Sequence, residues 1–266
     1  MALFCAAMSA PANSDNPTDG SPLTTRPVLR NHGDIESFWE YSDPAASEGR
    51  FRAALATARG DERLELLTQV ARTHSLRKDF DAAHRLLDEI EPQLSAAGPR
   101  PRIRYRLERG RTFNSAGDKA KARKLFEDAW NLGSQSAEEG LAVDAAHMIA
   151  IVASGTAEAV DWNERGLAIA RQSTHVKARA LVPAMYNNMA WDLHAMGRFP
   201  EALKAFEAAL AEWSTRGRPR QIHVAKWSVA QCLRSMGRID AAFAIEKALE
   251  AEGYELDPVP VGGTPR

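Results

Sequence analysis

The chain is poor in the residues that usually carry chemistry or covalent bracing. Of 266 residues only two are cysteine, Cys5 and Cys232, too few and too far apart for a disulfide framework or a thiolate zinc site. Seven histidines are scattered (His32, His74, His84, His147, His175, His194, His223), with no His-Glu-x-x-His pair and no cluster at ligand spacing, so no metal is expected. Neither a Gly-x-Ser-x-Gly elbow nor a phosphate-cradling glycine loop occurs, which leaves no catalytic site and no cofactor to expect. No uncharged apolar run approaches the roughly 18 residues that cross a bilayer. Ala2–Met8 resembles a signal-peptide core only faintly, without a preceding positive charge, so cytoplasmic residence is expected. Charge of one sign is also missing. With 34 basic and 35 acidic residues the formal net charge is −1, which argues against a protein whose main task is coating nucleic acid.

β-Branched runs are absent too: valines and isoleucines sit singly, and nothing reads as a strand. Alanine and leucine dominate the 44% hydrophobic content, as close-packed helices require, and the fold class is all-α. Residues 9–34 hold Pro11, Pro17, Pro22 and Pro27 among Ser, Asn, Asp, Thr and Gly. That composition buries too little apolar surface to offset chain entropy, so 1–34 is expected to be a disordered lead. A lead-in and capping helix fill 35–60. In it Phe38-Trp39-Glu40-Tyr41 should pack back on the first helix, and Asp43 with Pro44 should open a helix to about Ala58. Gly60 ends it, and Asp61 is expected to cap the next.

From 61 to 252 the chain alternates. Helices at about 61–77, 99–115, 136–153, 176–196 and 219–236 precede partners at about 79–96, 118–132, 157–171, 199–214 and 239–251. A flexible tail, with Pro258, Pro260 and Pro265, follows from 253. The alternation has a period. Gly117, Gly197 and Gly237 are followed five residues later by Ala122, Ala202 and Ala242, and twice a phenylalanine comes four further on, Phe126 and Phe206. Ala129 and Ala209 follow three residues after those. A fourth copy reads Lys78, Ala83, Leu87, Ile90. Positions 78, 117, 197 and 237 stand 39, 80 and 40 residues apart, so a fifth turn should lie near 157. Self-similarity at this period means stacked helix pairs.

The spacing resembles the tetratricopeptide repeat: small residues midway along a first helix (here Ala71, Gly110, Ala190, Ala230), then Gly, then Ala-x3-Phe-x2-Ala in the second. The period near 40 is longer than the family's usual 34, as in kinesin light chain and some bacterial regulators. The resemblance implies a right-handed helical solenoid of about five antiparallel pairs plus one N-terminal helix. It also implies a non-catalytic scaffold that takes an extended segment of another protein in its concave groove. Two copies are faulty. The third reads Ala159-x3-Asn163 or slips around Trp162. The last has Glu246 at the phenylalanine site, where Phe243 or Ile245 should take over by a local shift.

In the family the first helix of each pair lines the groove, at sites ten, six and three residues before each turn. These are Thr68, Arg72 and Ser75, then Leu107, Arg111 and Asn114, then His147, Ile151 and Ser154. The later pairs supply Asn187, Trp191 and His194, then Trp227, Gln231 and Arg234. Asn187 and Asn188 resemble the asparagine ladder by which related repeats hold a ligand backbone, although neighbouring helices could satisfy the same amides. Trp191 and Trp227 suit either a contact surface or packing between curved helices. The basic run from Arg100 to Arg111 places Arg104, Glu108 and Arg111 on one helical face, with Glu108 expected to bridge the two arginines. It could receive an acidic peptide or be a solvated face. A competing reading makes the basic 100–124 segment a platform for single-stranded nucleic acid.

Overall fold

The structure, a computed structural model, describes residues 32–253. Of the disordered lead expected over 1–34, residues 1–31 lie outside the described residues and 32–34 open a 3-10 helix; the tail expected from 253 lies outside them beyond Gly253. Within them the chain is helical, without a strand. A 3-10 helix, His32–Phe38, precedes α1 (Pro44–Leu55). There follow α2 (Gly60–Leu76), α3 (Phe80–Ile90), α4 (Pro99–Ser115), α5 (Lys119–Gln135) and α6 (Glu139–Val152). The rest are α7 (Ala157–Ala170), α8 (Val176–Ala195), α9 (Phe199–Thr215), α10 (Pro219–Ser235) and α11 (Ile239–Ala251). The chain divides into two compact units, and the division falls inside α6, between Ala145 and Ala146.

Local chemistry sets the helix ends. Gly117, Gly197 and Gly237 hold φ of 94°, 75° and 75°, the left-handed backbone that closes a helix at low cost only in glycine. Asp79 and Asp118 then accept the amide of the residue three further on, Ala82 and Lys121, each at 3.1 Å. Asp61 is a correction. The cap position is Arg59 without a side-chain bond, and the Asp61 carboxylate instead accepts the amide of Gly98 at 3.0 Å. Pro92 stops α3 at Ile90, and a 3-10 turn, Glu91–Ser95, replaces its expected last turn. α6 begins at Glu139 rather than 136. α5 runs on to Gln135, and Ala137 takes φ 57° in the turn.

In the first unit α2 packs on α1, α3 and α4, and α4 packs on α5. Ala83, Leu87 and Ile90 are fully buried, the last two in one cluster with Leu64, Ala71 and Tyr105. Phe126 lies against Gly110, where an added Cβ would stand 2.5 Å from the ring. The small residue expected at the crossing is therefore required by the phenylalanine of the partner helix. In the second unit α8 packs on α7 and α9, and α10 on α9 and α11. Ala190, Ala202, Phe206, Ala230 and Ala242 form its core. Truncating such a buried phenylalanine to alanine costs about 3–5 kcal/mol.

The third copy resolves in favour of Ala159 and Asn163, both fully buried, with Gly166 at the next core site and Trp162 only half-buried. Its turn residue is Gly155, φ 86°, two positions before the expected 157. Met185 of α8 reaches into the space that a larger residue at 166 would fill: a Cβ there would lie 2.2 Å from its Cε. In the last copy no shift occurs. Glu246 stays inside, 9% exposed, because Gln231 and Arg234 bond its carboxylate. Phe243 is 55% exposed, and Ile245 packs at the edge of the core.

Candidate functional site

In the first unit the expected arginine line is an ionic network closed on itself. Glu108 does join two guanidiniums by hydrogen bonds, Arg72 (3.2 Å) and Arg111 (2.8 Å), and its charge also supports that of Arg104. Arg104 turns instead to Glu65, 39 residues earlier, at 2.8 Å, and to Glu36 at 3.5 Å. The reason is the repeat period, which lays α4 beside α2 and brings equivalent positions of neighbouring pairs opposite each other. Arg111 also bonds Asp144 of α6. Arg100 reaches Glu138 at 2.8 Å, and Arg109 reaches Asp88 at 2.6 Å. Burial opposes the charge of Arg104, yet Glu36, Glu65 and Glu108 outweigh it and hold the guanidinium above its ordinary value. Burial opposes Arg111 likewise, and Asp144 and Glu108 outweigh it. A buried arginine needs such pairing, because an uncompensated interior charge costs several kcal/mol, of the order of 3–5.

Aromatic residues from before α1 join this network. The Trp39 indole donates to Gln69 Oε1 at 3.1 Å, and Gln69 in turn donates to Glu108 at 3.4 Å. Trp39 and Tyr41 stack at 4.9 Å, with the Arg72 guanidinium 5.5 Å and 5.8 Å from their ring centres. Burial pushes the Tyr41 phenol up to about 12, against the pull of Arg72. Sequence reasoning expected these aromatics to cap the first helix. Phe38 and Trp39 do meet Phe51 of α1, but Trp39 and Tyr41 also lie over Arg72 of the expected binding line. Asn114, the last first-unit candidate, is half-buried.

In the second unit the line is aromatic and amide. His147, on α6, is 2% exposed. Asp144, three positions earlier, is the α6 residue that meets the arginine line within the first unit. Asn187 and Asn188 are 5% and 7% exposed. The Asn187 Oδ1 is buried and accepts no hydrogen bond from another group of the chain among the described residues. Four residues on, half-buried Trp191 meets Phe206 edge-on at 5.0 Å and His194 at 5.4 Å, and its ring stands 6.1 Å from that of Trp227 on α10. His194 Nε2 lies 2.9 Å from Ser235 Oγ, and burial pushes the imidazole below its ordinary value. Gln231 and Arg234 are both engaged by Glu246.

On the same helix, facing away from this line, Asp192 is 2% exposed and accepts the Ser154 hydroxyl (2.9 Å) and the Gly155 amide (2.7 Å). Burial raises its carboxyl above the usual value, and these two bonds offset it only in part.

Sequence reasoning missed Glu36, Glu65, Gln69, Asp144 and Glu246 as members of these arrangements. The signal was present for two of them. Glu65 stands 39 residues from Arg104, and Gln69 stands 39 from Glu108, one period in each case. Among the described residues no three His, Cys, Asp or Glu side chains gather as a metal set, and no helix is long and apolar enough to cross a membrane.

A family model described as tetratricopeptide repeat matches residues 184–213, the α8–α9 pair. No curated protein matches the chain. Among solved structures, the nearly identical tetratricopeptide-like repeats of a putative kinesin light chain from Podosopora anserina are 19% identical. They align with a TM-score of 0.59 over 73% of this chain and 96% of theirs. BtubC (BKLC) from P. vanneervenii is 16% identical, with a TM-score of 0.63 over 87% of this chain and 98% of its own. At these identities the likeness is one of fold.

Proposed function

Taking the chain as the tetratricopeptide-like helical-repeat protein that its fold shows, we propose that it is a non-catalytic scaffold. Its second unit would take an extended segment of another protein on the face formed by Asn187, Trp191, His194 and Trp227. The observation that carries this reading is the Asn187 side chain. An amide oxygen buried without a donor costs about 1–3 kcal/mol, and a ligand backbone N–H is the partner that would relieve it. Half-buried Trp191 and Trp227 beside it supply flat apolar area with little entropy left to lose. Affinity on this face comes from indole burial and amide hydrogen bonds. It does not come from arginine–carboxylate pairing, since Arg234 is already engaged by Glu246. The same reasoning weighs against the nucleic-acid reading. Arg100, Arg104, Arg109 and Arg111 are paired with carboxylates of the first unit, and phosphates would have to displace those carboxylates to bind them.

Panning a random dodecapeptide display library against the purified chain tests the proposal. Enriched peptides should bind wild type and lose at least about tenfold in affinity to Asn187→Ala, the equivalent of one buried hydrogen bond. Asn187→Ala should keep the urea midpoint, because its oxygen has no protein partner to lose. Peptides that bind Asn187→Ala and Trp191→Ala as tightly as wild type would place both residues in the core alone.

A further inference from the structure

The first unit's arginine line already carries an occupant, the chain's own residues 35–41. This segment precedes the first repeat, yet three of its side chains reach the line. Glu36 meets Arg104 at 3.5 Å, the Trp39 indole donates to Gln69 at 3.1 Å, and Trp39 and Tyr41 stack on each other with Arg72 against both rings. Ile35 and Phe38 turn into the core with Phe51, Leu66 and Val70, and Trp39 belongs to the same cluster while its indole N–H reaches the line. Carboxylate to guanidinium, ring over guanidinium and indole to amide are the contacts by which a protein surface holds a short peptide.

The line does not need this occupant for its own charge balance. Without Glu36, Arg104 keeps Glu65 at 2.8 Å, and Arg72 and Arg111 keep Glu108. A strand of chain that is dispensable to the network, and bonded to it by ligand-type contacts, behaves as a guest on a preformed surface. We propose that the α2–α4 face of the first unit is a docking surface for a short acidic–aromatic segment, and that residues 35–41 fill it in cis and shut it to others. Ile35 and Phe38 tether the segment to the core, and an incoming segment competes with Glu36, Trp39 and Tyr41 for the face. This surface lies in the first unit and does not rest on the Asn187 reading.

The test uses a fluorescent peptide with the sequence of residues 32–43 and the full chain. Wild type should show no saturable binding at concentrations that saturate the variant Glu36→Ala/Trp39→Ala/Tyr41→Ala. Adding Arg72→Gln and Arg104→Gln to that variant should weaken the peptide at least about tenfold, as loss of charge-assisted hydrogen bonds requires. Raising the salt should weaken it further, and Asn187→Ala should leave it unchanged. The proposal fails if the triple variant keeps wild-type helicity and does not bind. It also fails if the arginine substitutions make no difference, or if wild type binds equally well. Should the triple variant unfold, Glu36→Ala/Tyr41→Ala leaves Trp39 in the core. Saturating peptide should then speed amide exchange of residues 35–41 in that variant, and unchanged exchange overturns the idea.

Discussion

The two units place side chains at the same sites before each turn and fill them in opposite ways. In the first, Arg72 and Arg111 stand six residues ahead of Lys78 and Gly117, and Glu108 joins them. In the second, Trp191 stands six ahead of Gly197, with Asn187 and Trp227 ten ahead of their glycines. The contrast separates position from chemistry. A helix pair fixes which sites lie along the line, but a half-buried charge there must find an opposite charge, because leaving it unpaired costs more than the fold can spare. The arginine line therefore neutralises itself with carboxylates of its own unit. An amide left with one unpaired oxygen costs far less, so the second unit can keep Asn187 unsatisfied and the tryptophans half-covered.

The largest test of this contrast is Glu108→Ala. It takes from partly buried Arg72 the carboxylate it bonds, and from Arg111 one of two, and should cost about 3–5 kcal/mol. Asn187→Ala in the other unit should change stability by less than about 1 kcal/mol, having no hydrogen bond at its oxygen to lose. Urea titration gives both numbers, and amide exchange should accelerate first in α2 and α4. Equal costs in the two variants would erase the distinction.

A second, smaller effect belongs to the second unit. The folded chain raises the Asp192 carboxyl, so folding favours its protonated form. Its contribution to stability is full below the unfolded value, near 3.9, and is lost as pH rises through the folded one. Asp192→Asn should remove that loss. The urea midpoints of wild type and variant should converge at low pH and separate, with the variant higher, towards neutrality. A gap that stays constant across the titration would show that Asp192 is not held as described. The smallest effect concerns the turns. Lys78 holds φ 64° where Gly197 and Gly237 hold 75°. Lys78→Gly should raise stability by about 0.5–1 kcal/mol, read as a shift of the denaturation midpoint.

Much of the fold was legible because its signals are local. Turn glycines, aspartate caps and the Ala-x3-Phe spacing each act within one or two helical turns, and they located the helices of the described region closely. Legibility failed where a signal had to cross helices. Asp61 reads as a cap but bonds an amide 37 residues away. Glu246 reads as a vacancy for phenylalanine but is held inside by two residues of α10. In the third copy the turn stands two residues early, and Asp144, a residue that counting back from the turns did not pick out, meets Arg111. The candidate site divides the same way. Asn187, Trp191 and Trp227 could be picked out by counting back from glycines, whereas the unpaired state of the Asn187 oxygen depends on what neighbouring helices fail to supply.

By itself, then, the sequence determined the helix pairs, their period and the line of positions that each pair presents, because those follow from residues at most one repeat apart. Only the tertiary structure decided which of those positions remain available. Pairing of Arg104 with Glu65, of Arg111 with Asp144, and the seating of Trp39 and Tyr41 over Arg72 all arise when segments remote in sequence are packed side by side. A buried charge takes whichever opposite charge packing places within reach, and no spacing rule along the chain states which one that is.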